Sequence, residues 1–397
     1  MTIIIQKFGG TSVADLDRIR GVANIVQQGL ASGQKIVVVV SAMAGVTNSL
    51  ITKCSNLSML NDVEALKEYD AVIASGEIVT SALVAIQLQS LGIKAKSLQG
   101  WQVPIITDDV HGKAQILNID PDKIYQLLEQ NITPVITGFQ GISDSGNITT
   151  LGKGGSDTSA AIIATALKAQ RCDIYTDVQG VYTADPRIVS NAQRIDQIHI
   201  DQLYILCASG AKILDPRAAL AAKRYGFDLR ILSSFNTGSG TTTQHEAYTM
   251  ENRQITAITS NKNLLKITIT QSQPNLTSII QDFARENVPI EQTYNWQNNA
   301  LMIIVSLSDK NKCEKLLNEL QNNESVIRYS METNIASVTI VGYGIKHDVN
   351  LISSITKITS DNQIDILSSS ITDISMTLMI YDFSTEKLIK LIHNDLF

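Results

Sequence analysis

"TIIIQKFGGTSV" (Thr2–Val13) is the stretch whose reading decides the fold. Its β-branched run reads as a strand, and two glycines follow it. The next residues, "VADLDRIRGVANIVQQGL", carry apolar side chains at Leu16, Ile19, Val22, Ile25 and Val26, the spacing of a helix. "KIVVVVS" (Lys35–Ser41) is then a continuous apolar run, as expected of a central strand covered on both faces. The alternation continues with the helix "GEIVTSALVAIQLQSLG", the strand "TPVITGF", a helix from Asp157 to Lys168 and the strand "CDIYTD". Strands alternating with helices predict a layered α/β domain with a mainly parallel sheet. Ligands of such sheets sit at the carboxyl ends of the strands. The glycine-rich loops here stand next to strand or helix ends, where that rule expects a site.

The chain has 397 residues, long enough for two or three domains. With 44% hydrophobic and 18% charged residues it reads as globular rather than disordered. The net charge of −6 and the lack of a basic run argue against a nucleic-acid partner. Cys54, Cys172, Cys207 and Cys313 lie far apart, in neither a zinc nor a disulfide pattern. No signal segment and no apolar run of the roughly 18 residues needed to cross a membrane is read from the sequence. The expectation is a cytoplasmic protein with reduced thiols.

"SSFNTGSGTTTQH" (Ser233–His245) reads as a closing loop and a domain boundary. Beyond it lies a diverged repeat. "LLKITITQSQPNLTSIIQDFARENVPIEQ" recurs as "ASVTIVGYGIKHDVNLISSITKITSDNQIDIL", with Asn350 75 residues after Asn275. Each copy reads strand–helix–strand–strand–helix, one strand short of the ferredoxin-like module. "QITAITS" (Gln254–Ser260) can supply one such strand.

Taken singly, the polar loops are ambiguous. "KFGGTSV" (Lys7–Val13) suits a phosphate, with a lysine, close backbone approach and a helix start, but equally suits a tight strand–helix turn. "SAMAGVTN" (Ser41–Asn48) offers Ser41 and Thr47 at a strand end, or simply an N-cap. Glu77 falls in the first turn of the helix as read from sequence, where a carboxylate ordinarily serves the dipole; the alternative is a seat for a substrate ammonium. "YTDVQGVYTADPR" (Tyr175–Arg187) fits a nucleotide edge or an exposed hairpin, and Lys212 in "SGAKILDPR" a phosphate or bare solvent. His111, His199, His245, His347 and His393 are scattered and read as structural or surface residues. The set, rich in lysines, glycines and hydroxyls with no nucleophilic triad, points to phosphoryl transfer.

In order along the chain, "KFGGTSV", "SAMAGVTN", Gly76–Glu77, "TLGKGGSDTSA", "YTDVQGVYTADPR" and "GAKILDPR" resemble the motifs of the aspartate kinases. The tail resembles their paired ACT modules. The resemblance implies a three-layer αβα amino-acid kinase fold over residues 1–245. It also implies two α+β ferredoxin-like ACT modules, over 262–332 and 333–397, the second completed by strand 254–260. It implies phosphorylation of the aspartate β-carboxylate by ATP, with Mg²⁺ held mainly by the ATP phosphates and no protein metal site.

By that resemblance Lys7, Gly9 and Gly10 hold ATP phosphates. Thr176, Asp177, Tyr182, Asp185, Pro186 and Arg187 line the nucleotide, and Lys212 is a second phosphate-side lysine. Aspartate meets Thr47, Glu77 and the loop Lys153, Gly154, Gly155 and Ser156. Ser41 and Ser156 lie between the two substrates, and Asp157 orients the lysines. Lys7, Asp157 and Lys212 would carry the catalysis. Lys153 stands where the family has arginine, so the charge is kept and the two-pronged geometry is lost. Asn275, Ile290 and Glu291 mark an amino-acid effector position for lysine, threonine, both or neither. A homodimer or larger assembly through the ACT modules is expected. Two other readings stay open: a related kinase acting on glutamate, carbamate or a nucleotide, and an amino-acid sensor whose kinase site is dead.

Overall fold

The first strand, Ile3–Phe8, is buried along its whole length because it lies mid-sheet. Lys35–Val40 and Arg171–Thr176 flank it, both parallel to it. Eight strands form this sheet, in the order Gln197–His199, Thr241–Gln244, Asp228–Ser233, Arg171–Thr176, Ile3–Phe8, Lys35–Val40, Thr133–Thr137 and Ala95–Leu98. Only the pair Asp228–Ser233 and Thr241–Gln244 is antiparallel. In this computed structural model the described residues are 2–58, 60, 62–236, 238–246, 255–270, 276–297, 300–323 and 328–397.

Side chains alternate across a strand, so Ile4 and Phe8 face one way and Ile5 and Lys7 the other. On the first face Ile4, Phe8 and Val38 pack with Ile19, Val22 and Val26 of helix Leu16–Ala31 and with Val84 and Leu88 of helix Val63–Ser90. Truncating a buried ring such as Phe8 to alanine costs about 3–5 kcal/mol. On the other face lies helix Gly155–Ala166, against Ile3–Phe8, Lys35–Val40 and Arg171–Thr176. These are the three layers, and Lys7 is the polar residue that this first strand turns toward the second helical layer.

Two sequence expectations are corrected here. Helix Val63–Ser90 starts well before Gly76, capped by Asp62, whose side chain accepts from the Ala65 amide. Glu77 is therefore mid-helix, out of reach of the helix-start dipole. This helix is also long and apolar enough to cross a membrane by length and composition, and half of the apolar window is buried. Scattered polar residues such as Glu77 hid it from a search for unbroken apolar runs. In addition, part of the stretch read as a closing loop is strand Thr241–Gln244.

A small sheet, ordered Ile116–Ile119, Ile105–Thr107, Gln140–Ser143 and Ile148–Thr150, carries the chain into the loop at Leu151. Buried Asp70 fixes its last strand. Its carboxylate accepts from the Thr150 amide (3.1 Å) and hydroxyl (2.5 Å) and from the Gly112 amide, and sits 2.8 Å from His111 Nδ1.

The chain divides into two compact units. The first is Met1–Tyr182, Gln193–Ala208 and Lys212–Tyr248; the second is Thr183–Ala192, Ser209–Ala211 and Thr249–Phe397. The second unit holds two four-stranded antiparallel sheets with the same spatial arrangement of strands. In one the order is Ile290–Gln297, Ala300–Ser306, Leu264–Thr270, Arg328–Glu332; in the other it is Ile255–Asn261, Ile335–Gly342, Ser375–Tyr381, Ile366–Ile371. The strand absent from each repeat is thus supplied differently. Arg328–Glu332 pairs with Leu264–Thr270 in the first copy, and Ile255–Asn261 reaches forward to pair with Ile335–Gly342 in the second. Helices Leu276–Arg285 and Lys310–Asn323 back the first sheet, Val349–Asp361 and Thr385–Leu396 the second. Each has its own apolar core, one around Ile267, Ile269, Phe283 and Leu317, the other around Val338, Ile340, Leu378 and Leu388.

Candidate active site

A cleft of about 280 Å³ opens where the parallel strands end. Lys7, Gly10, Ser41, Thr47, Glu77, Lys153, Gly154, Gly155, Ser156 and Asp157 all line it. Residues from four separate stretches of the sequence therefore meet in one place.

Lys7 is 7% exposed, and its Nζ stands 2.6 Å from Asp157 Oδ1. The approach is an ion pair rather than an aligned hydrogen bond. Asp157 Oδ2 accepts from the Asp215 amide at 3.0 Å. The lysine is held on a carboxylate that is itself held, which fixes the ammonium at the cleft wall. Gly9 donates its amide to the Tyr175 carbonyl (3.1 Å), and a Cβ there would stand 3.4 Å from Lys7 Nζ. At Gly10 a Cβ would meet the Ala42 carbonyl at 2.9 Å. The glycines let the first loop press against the second.

Ala42 is gripped from both sides. A Cβ on Gly76 would come within 2.7 Å of the Ala42 Cβ, and the Ala42 amide donates to Glu77 Oε1 at 2.9 Å. Glu77 is 3% exposed, and its Oε2 is buried without a partner. Burial pushes its carboxyl up to about 7, against the opposing effect of the Ala42 amide bond. A buried carboxylate oxygen with no donor, on the wall of a cleft, is a seat for a cation.

Two helices begin at this cleft. Val46–Leu57 starts after Gly45 (φ 82°) and Gly155–Ala166 after Gly154 (φ 78°), both left-handed. Their unpaired amides and dipoles bring positive potential to the same space as Lys7 and Lys153. Lys153 is exposed and makes no ion pair among the described residues. Phe139, which no sequence reading singled out, also lines the cleft in a left-handed conformation (φ 70°). Its amide is held by Ser159 Oγ (3.0 Å) and its carbonyl by the Leu151 amide (2.9 Å). Such a backbone costs about 1–2 kcal/mol in a non-glycine residue. Its only sequence signal is the neighbouring Gly138, where a Cβ would strike Ser156 at 2.7 Å.

The profile of the amino acid kinase family matches residues 2–233. An aspartokinase of Rickettsia felis is 44% identical over 397 residues, covering 99% of each chain. The chain belongs to the aspartokinases of the amino acid kinase family. The structure of E. coli aspartokinase III in complex with aspartate and ADP, at 24% identity, matches the fold with a TM-score of 0.85 over 99% of each chain. The same enzyme in complex with lysine and aspartate gives 0.73 over 100% of this chain and 99% of the other.

In this aspartokinase chain the residues expected at the nucleotide are more dispersed than those expected at the acceptor. Thr176 ends its strand, donates to Asp177 Oδ1 (3.1 Å) and accepts through its carbonyl from the Ser234 amide (3.1 Å). Ser234 also reaches Ser12 Oγ at 2.7 Å, and Arg18 stacks over Phe235 at 4.0 Å. The Ser233 loop therefore lies beside the Thr176 strand end, a placement its reading as a boundary missed. With Gln179, Arg194, Asn236, Gly238 and Gly240 it lines a second, smaller hollow of about 70 Å³. Tyr182 pairs with Arg194 in a two-residue strand. Asp185, Pro186 and Arg187 fall in the second unit, where Arg187 donates to Asp185 at 2.7 Å. Lys212 is exposed and is not among the cleft-lining residues. Ile290 and Glu291 open the strand Ile290–Gln297, and Asn275 lies outside the described residues.

Proposed function

We propose that this chain transfers the γ-phosphoryl group of ATP to the β-carboxylate of L-aspartate, forming 4-phospho-L-aspartate at the head of lysine, threonine and methionine synthesis. The observation that carries this reading is one cleft lined both by the buried, half-unpartnered Glu77 carboxylate and by the cations Lys7 and Lys153. An amino acid with a second carboxylate fits such a distribution: ammonium to Glu77, carboxylate to the Lys153–Ser156 loop, with Thr47 beside them.

A β-carboxylate has a reference pKa of about 3.9 and is ionised at neutral pH, so its attack needs no general base. The obstacle is repulsion between two anions, which Lys7 and the helix-start amides lower. Asp157 acts by holding Lys7, not by taking a proton. Lys212, Thr176, Asp177 and Tyr182 are assigned to the nucleotide, as are Gly9, Gly10, Ser41 and Ser156. Mg²⁺ would arrive on the ATP phosphates, where it neutralises charge; no group of three His, Cys, Asp or Glu side chains among the described residues could hold a metal ion.

The first unit is assigned to catalysis and the paired ferredoxin-like modules to regulation by an amino acid, with Ile290 and Glu291 at the effector position. E. coli aspartokinase III is known in complex with lysine, which makes lysine the first effector to test. Assembly into a homodimer or larger oligomer through these modules and a cytoplasmic location complete the proposal. The four cysteines, all free, suit a reducing compartment. A coupled ADP-release assay with aspartate, glutamate or no acceptor tests the central claim. ADP formed with aspartate alone supports it. Equal turnover with glutamate, or lysine binding with no turnover, would replace it with one of the other two readings.

A further inference from the structure

We propose that Arg217 is a positioning residue that sets the acceptor loop Leu151–Gly155, an inference that rests on the function proposed above. Arg217 opens helix Pro216–Tyr225 just after its cap, Asp215. All three nitrogens of its guanidinium donate. Nε and Nη2 donate to the two Asp215 oxygens, each at 3.0 Å. Nη1 donates to the Leu151 carbonyl at 2.9 Å and Nη2 to the Lys153 carbonyl at 3.2 Å.

An Arg–Asp pair two residues apart on a surface would count for little on its own. Here the pair grips a loop 64 to 66 residues away in sequence. The carbonyls of that loop divide cleanly. Those of Gly152 and Gly154 accept from the Gly155 and Asp157 amides and close the first turn of helix Gly155–Ala166. Those of Leu151 and Lys153, which that turn cannot use, go to Arg217. With its carbonyls held on this side, the loop leaves the Gly154 and Ser156 amides without a backbone acceptor among the described residues, at the cleft where an acceptor carboxylate would lie.

The same turn reaches the catalytic lysine. The Asp215 amide holds Asp157, and Asp157 holds Lys7. Gly154 is the point of closest approach: a Cβ there would fall 2.3 Å from Asp215 Oδ2. Lysine at 217 would supply charge but not a planar fork able to serve one carboxylate and two carbonyls together.

The test compares wild type, Arg217→Ala and Arg217→Lys in ADP release, with each substrate varied at saturation of the other. Arg217→Ala is expected to raise the aspartate KM about tenfold while the ATP KM stays within about twofold. Arg217→Lys should recover only part of that loss. Amide exchange over residues 151–157 should accelerate in Arg217→Ala, with strand Ile3–Phe8 keeping its protection. Should Arg217→Ala lose that protection too, Arg217→Lys supplies the same readings. Equal rises in both KM values, full recovery by lysine, or unchanged exchange at 151–157 overturns the proposal. If the wild-type chain releases no ADP with aspartate, the proposed function fails, and the exchange experiment still decides the clamp.

Discussion

The two helices that start at the cleft use the same backbone device in opposite surroundings. Gly45 and Gly154 both sit in the left-handed region, at φ 82° and 78°. A Cβ at Gly45 would meet nothing within 4 Å, whereas one at Gly154 would drive into the Asp215 carboxylate. The first glycine is demanded by its own torsion angle alone. The second is demanded also by a neighbour 61 residues away that holds both the acceptor loop and, through Asp157, Lys7. The difference teaches that one glycine loop is built by local geometry and the other by the site.

Breaking the second loop should cost most. Gly154→Ala must displace Asp215 and with it the Arg217 contacts, and a displacement of about 1 Å at a reacting group can cost roughly 100-fold. Aspartate-dependent ADP release is expected to fall by about that factor in kcat/KM; a loss under about fivefold would show that the loop tolerates the shift.

The acceptor side should also titrate. Glu77, raised to about 7 by burial, would receive the proposed ammonium only when ionised. Below about pH 7 its ionised fraction falls about tenfold per unit, so the aspartate KM should rise by that factor as pH drops. Glu77→Gln should flatten the profile and leave the KM high throughout. A wild-type aspartate KM constant from pH 5.5 to 8 (a range of about 2.5 units, enough to cross the transition) would remove Glu77 from the ammonium site.

A smaller effect is expected at the exposed end of the same loop. Lys153→Arg restores a forked cation, and recovery of one charge-assisted bond corresponds to tighter aspartate binding by about 1–2 kcal/mol. An unchanged or raised KM would take the Lys153 side chain off the substrate. Gly45→Ala closes the series. The added methyl meets no neighbour, so stability should fall by about 1 kcal/mol in a denaturant melt through backbone strain alone.

Much of the first sheet was legible in the sequence because its signals are local. The β-branched run at Thr2–Phe8, the fully apolar Lys35–Ser41 and the helical spacing from Leu16 each describe one element, and each stands within a few residues of its reading. The lining of the cleft was legible for the same reason, since Lys7, Thr47, Glu77 and Lys153–Asp157 lie in compact motifs that end at the sheet's edge. What the sequence concealed depends on partners distant along the chain. Glu77 seemed to open a helix because the helix was read from Gly76, whereas it continues back to Val63 behind the Asp62 cap. Arg217 went unread at the end of "SGAKILDPR", and its targets are the backbone carbonyls of another loop, which carry no side-chain signature. Phe139 and Ser234 were missed likewise, being fixed by Ser159 and by Ser12 and Thr176.

The forward-reaching strand of the second unit carries a consequence for how the chain is made. Ile255–Asn261 leaves the ribosome about 80 residues before its partner Ile335–Gly342, several seconds at roughly 5–20 residues per second. During that interval its edge must wait unpaired while the first ferredoxin-like module completes around it. A gene fragment opening at residue 262 would never make that strand, and would leave the later module with a bare edge open to whatever other chain it meets.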